Sequence, residues 1–154
     1  MSIDQNLPPA ELPIHDLDAA ERESAAKRIL IVEDEFTFTQ MLQAFLESAG
    51  YGVDSAIDGV QGIKKVMAND YAVILCDMVM PNLAGDMFYL AVERVKPHLC
   101  KRFVFMTGHH NNPKIDGFIR KVNGVMLWKP FQMNTLLEAV QTVEKKGEKS
   151  GKGG

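Results

Sequence analysis

The stretch Ala72-Val73-Ile74-Leu75-Cys76-Asp77 decides the fold. Its unbroken apolar run leaves no polar face, so a strand over 72–76 has to be covered on both sides, as a central strand of a parallel sheet is. An aspartate closes it. Three other apolar runs end on polar groups: Ile29-Leu30-Ile31-Val32 on Glu33-Asp34, Phe103-Val104-Phe105-Met106 on Thr107, and Val125-Met126-Leu127-Trp128 on Lys129-Pro130. Open parallel α/β sheets collect ligands at the carboxyl ends of their strands. Three acids, a hydroxyl and an ammonium are therefore expected to converge on one metal-assisted phosphate site.

Outward from this stretch, strand and helix patterns alternate, the signature of an α/β domain with a parallel sheet. Strands are predicted over 28–32, 52–56, 72–76, 103–106 and 125–128. The helix over 36–49 carries Phe38, Met41, Leu42, Phe45 and Leu46 at helical spacing and stops at Gly50. A second, over 59–68, places Val60, Ile63, Val66 and Met67 inward, with Asp58 as N-cap. A third, over 86–95, ends before Pro97. The fourth, over 113–121, is weakened by Gly117, and the fifth, over 132–145, turns Met133, Leu136, Leu137, Val140 and Val143 inward. Residues 27–144 are expected to be the domain. Residues 1–26 mix prolines and acids and are predicted as an extension or linker in which 16–26 forms a short helix. The Lys/Gly/Ser segment 145–154 is predicted as a flexible, solvated tail.

A chain of 154 residues fits one such domain. Its formal net charge of −3 argues against direct nucleic-acid binding, which needs Lys and Arg concentrated on a face. No apolar run approaches the roughly 20 residues that span a bilayer, and Asp4, Pro8, Pro9, Glu11 and Pro13 lack signal-peptide character, so a cytoplasmic protein without membrane contact is expected. Cys76 reads as a small buried hydrophobe. Cys100 stands beside Lys101 and Arg102, which would favour its thiolate. Phe38, Phe45, Phe103 and Phe105 read as core.

The strand-end residues suit phosphoryl chemistry. Adjacent carboxylates at Glu33 and Asp34 repel by a few kcal/mol if about 4 Å apart at an effective dielectric near 20, and Mg2+, which prefers one or two carboxylates plus phosphate oxygens, would offset that. Glu33, Asp34 and Glu35 could instead serve only the dipole and cap of the first helix. Asp77 is the nucleophile candidate, since a carboxylate can attack phosphorus to give an acyl phosphate; its ordinary reading is a turn residue. Thr107 offers a hydroxyl beside Gly108, whose backbone lets a phosphate approach. Lys129 offers a compact charge for Asp77 before transfer and phosphate after it, and Pro130 fixes a turn, with a cis peptide possible there.

Taken in order, 29–35 (ILIVEDE), 76–85 (CDMVMPNLAG), 106–109 (MTGH) and 127–131 (LWKPF) closely resemble the receiver domain of two-component response regulators, over about residues 27–143. The resemblance implies a flavodoxin-like, doubly wound sheet in order 2-1-3-4-5 flanked by five helices. It implies Asp77 as acceptor of a phosphoryl group from a histidine kinase or phosphotransfer protein. Mg2+ would be held by Asp34 directly, by Glu33 through water, by Asp77, and by the backbone carbonyl of Val79. Thr107 would swing toward the phosphoryl group and Lys129 contact it. The domain would catalyse its own phosphorylation and slow dephosphorylation without being a conventional enzyme. It would signal to a downstream protein through the fourth helix, fifth strand and fifth helix, a face that could also support a homodimer.

Five positions depart from the pattern or flank the site. Met126 stands where receivers commonly carry the aromatic that follows the threonine. Trp128 is read as turned away from Met126 and Lys129 and buried against a helix, and His110 as a solvated loop residue. His109 and Val79 flank the site where hydrolysis is tuned. A stand-alone regulator is expected; the alternatives are a segment of a hybrid kinase or a phosphatase using an aspartyl phosphate. Such phosphatases carry a second Asp where Val79 stands, and a flavodoxin-like cofactor binder would meet repulsion from Glu33, Asp34 and Glu35.

Overall fold

The computed structural model describes residues 27–153, with side chains described for 27–147. The extension 1–26 and the short helix expected within it lie outside the described residues. Five strands, β1 (Arg28–Val32), β2 (Gly52–Ala56), β3 (Val73–Asp77), β4 (Phe103–Thr107) and β5 (Val125–Trp128), form one sheet in the order β2-β1-β3-β4-β5. All four pairings are parallel. The connecting α-helices are α1 (Phe36–Ser48), α2 (Gly59–Ala68), α3 (Gly85–Val95), α4 (Pro113–Val122) and α5 (Met133–Gly153). This is the expected flavodoxin-like α/β fold.

The apolar runs divide by their period of two. Leu30, Val32, Ile74, Cys76, Phe103 and Phe105 pack with Val66, Phe88, Val92 and Ile115, from α2, α3 and α4. Ile29, Ile31, Val73, Leu75, Val104 and Met106 pack with Leu42, Leu46, Leu136, Val140 and Val143, from α1 and α5. Burial on both faces is why β1, β3 and β4 read as continuous apolar runs. Helix ends follow local chemistry. Gly50, at φ +99°, takes the left-handed turn after α1, Asp58 caps α2 by accepting from Gln61 N at 2.9 Å, and Asn112 caps α4 by accepting from Lys114 and Ile115 N.

Several expectations need correction. Val60 and Met67 are exposed, because α2 meets its neighbours through Gly59 and Gly62. A Cβ at Gly59 would lie 2.7 Å from Leu83 Cβ, and one at Gly62 2.8 Å from Phe88 Cε1; this close approach rotates Val60 and Met67 outward. Met41 lies at the solvent edge of the α1 stripe and is exposed. A 3-10 helix, Pro97–Arg102, fills the connection before β4. α5 continues to Gly153, past the tail boundary expected at 145; segment 145–153 contains no proline, and its four lysines and Glu148 favour helix where Gly147, Gly151 and Gly153 oppose it.

Cys100 lies on the 3-10 helix, and its thiol is pushed up by burial, only partly countered by Tyr89. Arg102 donates to Tyr71 O instead, at 2.8 Å. A reactive thiolate is not the outcome there. A cavity of about 660 Å3, bordered by Tyr89, Cys100, Phe103 and Val125, opens at the amino ends of β4 and β5, remote from the strand-end acids.

Candidate functional site

Each functional side chain sits at or just beyond a strand's carboxyl end, and backbone bonds continue past the strands to hold it there. Glu33 N donates to Ala56 O, Met78 N to Met106 O and Lys129 N to Thr107 O, at 2.8–3.0 Å. Asp77 and Thr107 are the last residues of β3 and β4 rather than the first residues of loops. The Lys129-Pro130 peptide is cis.

Glu33, Asp34 and Asp77 come together, each offering a carboxylate oxygen within 4.8 Å of the others. Glu33 and Asp77 are 2% and 6% exposed, whereas Asp34 faces solvent. Desolvation, and then the Glu33 carboxylate beside it, push the Asp34 pKa up. Lys129 Nζ joins two of the acids, donating to Glu33 Oε1 at 2.6 Å and Asp77 Oδ2 at 3.0 Å. Burial opposes the lysine's charge, but these two hydrogen bonds outweigh it and raise its pKa. One cation thus faces a cluster of three acids.

The remaining carboxylate oxygens are also engaged. Asp77 Oδ1 accepts from Val79 N at 3.1 Å, and Glu33 Oε2 from Glu35 N at 3.0 Å. The second bond meets part of the capping role considered for Glu33–Glu35, since Glu35, the N-cap of α1, makes no side-chain cap bond itself. It leaves Asp34 and Asp77 to another purpose. The acids fit Mg2+, a hard cation that takes one or two carboxylates: Glu33, Asp34 and Asp77 each offer an oxygen within 4.8 Å of the others and would hold it, with water completing its shell.

Thr107 is fully buried, and its Oγ1 accepts from His109 N at 3.0 Å. His109 is itself exposed, and Val79 stands on the opposite loop at 45% exposure. Met126 is half-buried against the cluster that holds Phe105 and Ile115 and is paired in register with Phe105, not Thr107. Trp128 is exposed, contrary to expectation: residues two apart in a strand share a face, so it lies beside Met126, and α4 covers that face of the edge strand incompletely. His110 is an exposed turn residue, as expected, and its ring stacks on Trp128, centroids 4.7 Å apart and planes 17° apart.

Sequence reasoning missed three partners. Glu33 was expected to meet metal-bound water, not Lys129. Asn82, in left-handed conformation at φ +68°, donates to Asp58 Oδ2 at 2.8 Å and fastens the loop after Asp77 to the start of α2. The Pro81-Asn82 pair signalled that turn but not its partner. Phe38, read as core, lies against Lys129 Nζ.

The response regulator receiver domain model matches residues 29–141. The transcriptional regulatory protein DltR of Streptococcus agalactiae is 31% identical over 121 residues, covering 74% of this chain and 50% of that protein. The chain therefore spans about half the length of that relative. The receiver protein CpdR of Brucella abortus is 28% identical, covering 75% of this chain and 94% of its own. Among solved structures, Vibrio cholerae chemotaxis protein CheY4 superposes with a TM-score of 0.67 at 30% identity, covering 75% of this chain and 97% of its own. A receiver domain protein from Methanospirillum hungatei gives a TM-score of 0.74 at 24% identity over 80% of this chain and 98% of its own, a likeness of fold.

Proposed function

This chain belongs to the response regulator receiver domain family, and we propose that it receives a phosphoryl group on Asp77 from a histidine kinase or phosphotransfer protein. The carrying observation is the lysine clamp: Lys129 Nζ bonded to both Glu33 and Asp77 within a cluster of acids that spans 4.8 Å. One Asp77 carboxylate oxygen attacks phosphorus as the bond to the donor histidine's nitrogen breaks. The electron pair stays on that nitrogen, which takes up a proton.

Asp34, Asp77 and the Val79 carbonyl, with Glu33 through water, are the groups to hold Mg2+, which when bound offsets the negative charge of acids and phosphate. Lys129 keeps its bond to Glu33 and turns its Asp77 bond toward a phosphoryl oxygen. Thr107 gives up the His109 amide to donate its hydroxyl to the same group. Self-hydrolysis is slow, and Val79 and His109 flank the path of the attacking water.

The readout face is α4, β5 and α5, where Met126 and Trp128 line a shallow cavity of about 240 Å3 with Asp116, Ile119 and Arg120. A downstream protein, or a second copy of the chain, binds there, with the fold acting as a signalling module, in the cytoplasm, rather than a turnover enzyme. The receiver unit in this reading is residues 27–144, whether it acts alone or within a hybrid kinase. Acetyl phosphate with Mg2+ is expected to add one phosphoryl group by intact mass to the native chain and none to Asp77→Asn. Equal modification of both proteins would remove Asp77 from the mechanism.

A further inference from the structure

The ring of Phe38 lies against the Lys129 ammonium, with Nζ 4.7 Å from its centroid. Phe131 meets that ring edge-on, centroids 5.9 Å apart and planes at 65°. Phe38 comes from α1 and Phe131 from the turn after β5, so two separate segments meet beside the lysine. Both rings are half-buried and pack against the apolar cluster under α1 and α5. The strand end fixes only the lysine backbone; its four-carbon stem is free to choose rotamers. Glu33 and Asp77 each accept one of its N–H bonds. An aromatic face attracts the charge without accepting a further strong N–H bond, so it does not compete for the N–H that turns from Asp77 to an incoming oxygen.

We propose that Phe38, braced by Phe131, is a positioning residue for Lys129, holding the ammonium at the strand ends where it meets a phosphoryl oxygen on Asp77. This rests on the reading of Asp77 as phosphoacceptor. The contact supplies what the carboxylates cannot: once the phosphoryl group draws Lys129 from Asp77, the ring still holds the charge in place. The sequence concealed it because a phenylalanine in a helical apolar stripe looks the same whether it meets aliphatic core or a cation.

The test compares native protein, Phe38→Leu, which keeps apolar bulk without a ring, and Phe38→Tyr, which keeps the ring; Phe38→Met replaces the leucine variant if that variant melts before the assay temperature. Phosphorylation by acetyl phosphate and Mg2+ affinity by calorimetry are measured on each. Losing the ring is expected to lower the second-order phosphorylation rate constant about three- to thirtyfold, the range such contacts span. Phe38→Tyr stays within about twofold of native, and Mg2+ affinity changes less than about twofold in every variant, because Phe38 supplies no oxygen to the acid cluster. A Phe38→Leu rate equal to native overturns the proposal. So does a Phe38→Tyr loss as large as that of Phe38→Leu, or Mg2+ affinity falling in step with the rate. Native protein that acetyl phosphate does not modify at all overturns the reading of Asp77 itself, and this proposal with it.

Discussion

Lys129→Met removes the ammonium and keeps most of the stem. Glu33 and Asp77, both buried, then face each other and Asp34 with no cation, their nearest oxygens within 4.8 Å. At that separation and an effective dielectric near 20, one pair of carboxylates repels by about 3 kcal/mol. Removing one partner of a buried pair costs a similar 3–5 kcal/mol or so. The variant is therefore expected to be about 3 kcal/mol less stable at neutral pH in chelator, roughly 10 °C in melting temperature for a domain of this size. The deficit has a sign in pH: desolvation already pushes the Asp34 pKa up, and as acid protonates that carboxyl the repulsion falls, so the variant approaches the native protein as pH drops. It also has a sign in metal: without the lysine's competing charge the acids bind Mg2+ more tightly, so at a given Mg2+ concentration the metal restores more stability to the variant than to the native protein. The assay is urea denaturation followed by circular dichroism at several pH values, with chelator or Mg2+. A loss below about 1 kcal/mol that neither acid nor Mg2+ changes would refute the electrostatic account of the site.

Packing and hydrogen bonding set three further outcomes. Gly85→Ala places a Cβ 2.7 Å from Asp77 O and 2.8 Å from Met78 Cα; the backbone there has to shift, costing about 1–3 kcal/mol and slowing acetyl phosphate labelling, whereas Gly117→Ala, with open space at its Cβ, should stabilise by up to about 1 kcal/mol in the same denaturation series. Tyr71→Phe removes the 2.8 Å bond from the buried phenol to Asp54, whose other oxygen accepts from Arg28 at 2.6 Å. A loss of about 1.5–3 kcal/mol at neutral pH is expected. Desolvation works to raise the Asp54 pKa, but the Arg28 and Tyr71 bonds prevail and lower it. Its stabilisation is thus complete above the unfolded value near ~3.9 and lost as pH falls through the lower folded one. The gap between native and Tyr71→Phe should narrow in that acid range; a gap constant from pH ~7 to ~2 would contradict it.

The strands were legible because both faces of β1, β3 and β4 are covered, which forces unbroken apolar runs whatever the helices do. The residues that end them could be placed together because parallel strands bring their carboxyl ends to one edge. Side chains arriving from helices were less legible. A stripe gives the inward direction but not which strand end a residue meets, so Phe38 read as core and Val60 and Met67 as buried. Trp128 was misjudged because coverage of an edge strand depends on how much of it α4 shadows. Asp58 and Asn82, 24 positions apart, show the same limit: each carried a local turn or cap signal, and only the fold reveals that they bond.

The backbone bonds that carry β1, β3 and β5 one step past their ends make the domain unevenly tolerant of insertion. One residue added within β3 would send Asp77 and every apolar neighbour beyond the insertion to the wrong face. The connections at the opposite edge, including the 3-10 helix before β4, hold none of the site residues. Length can drift there between related chains, and extra segments can be grafted there, while the spacing of the acids, the threonine and the lysine stays as it is.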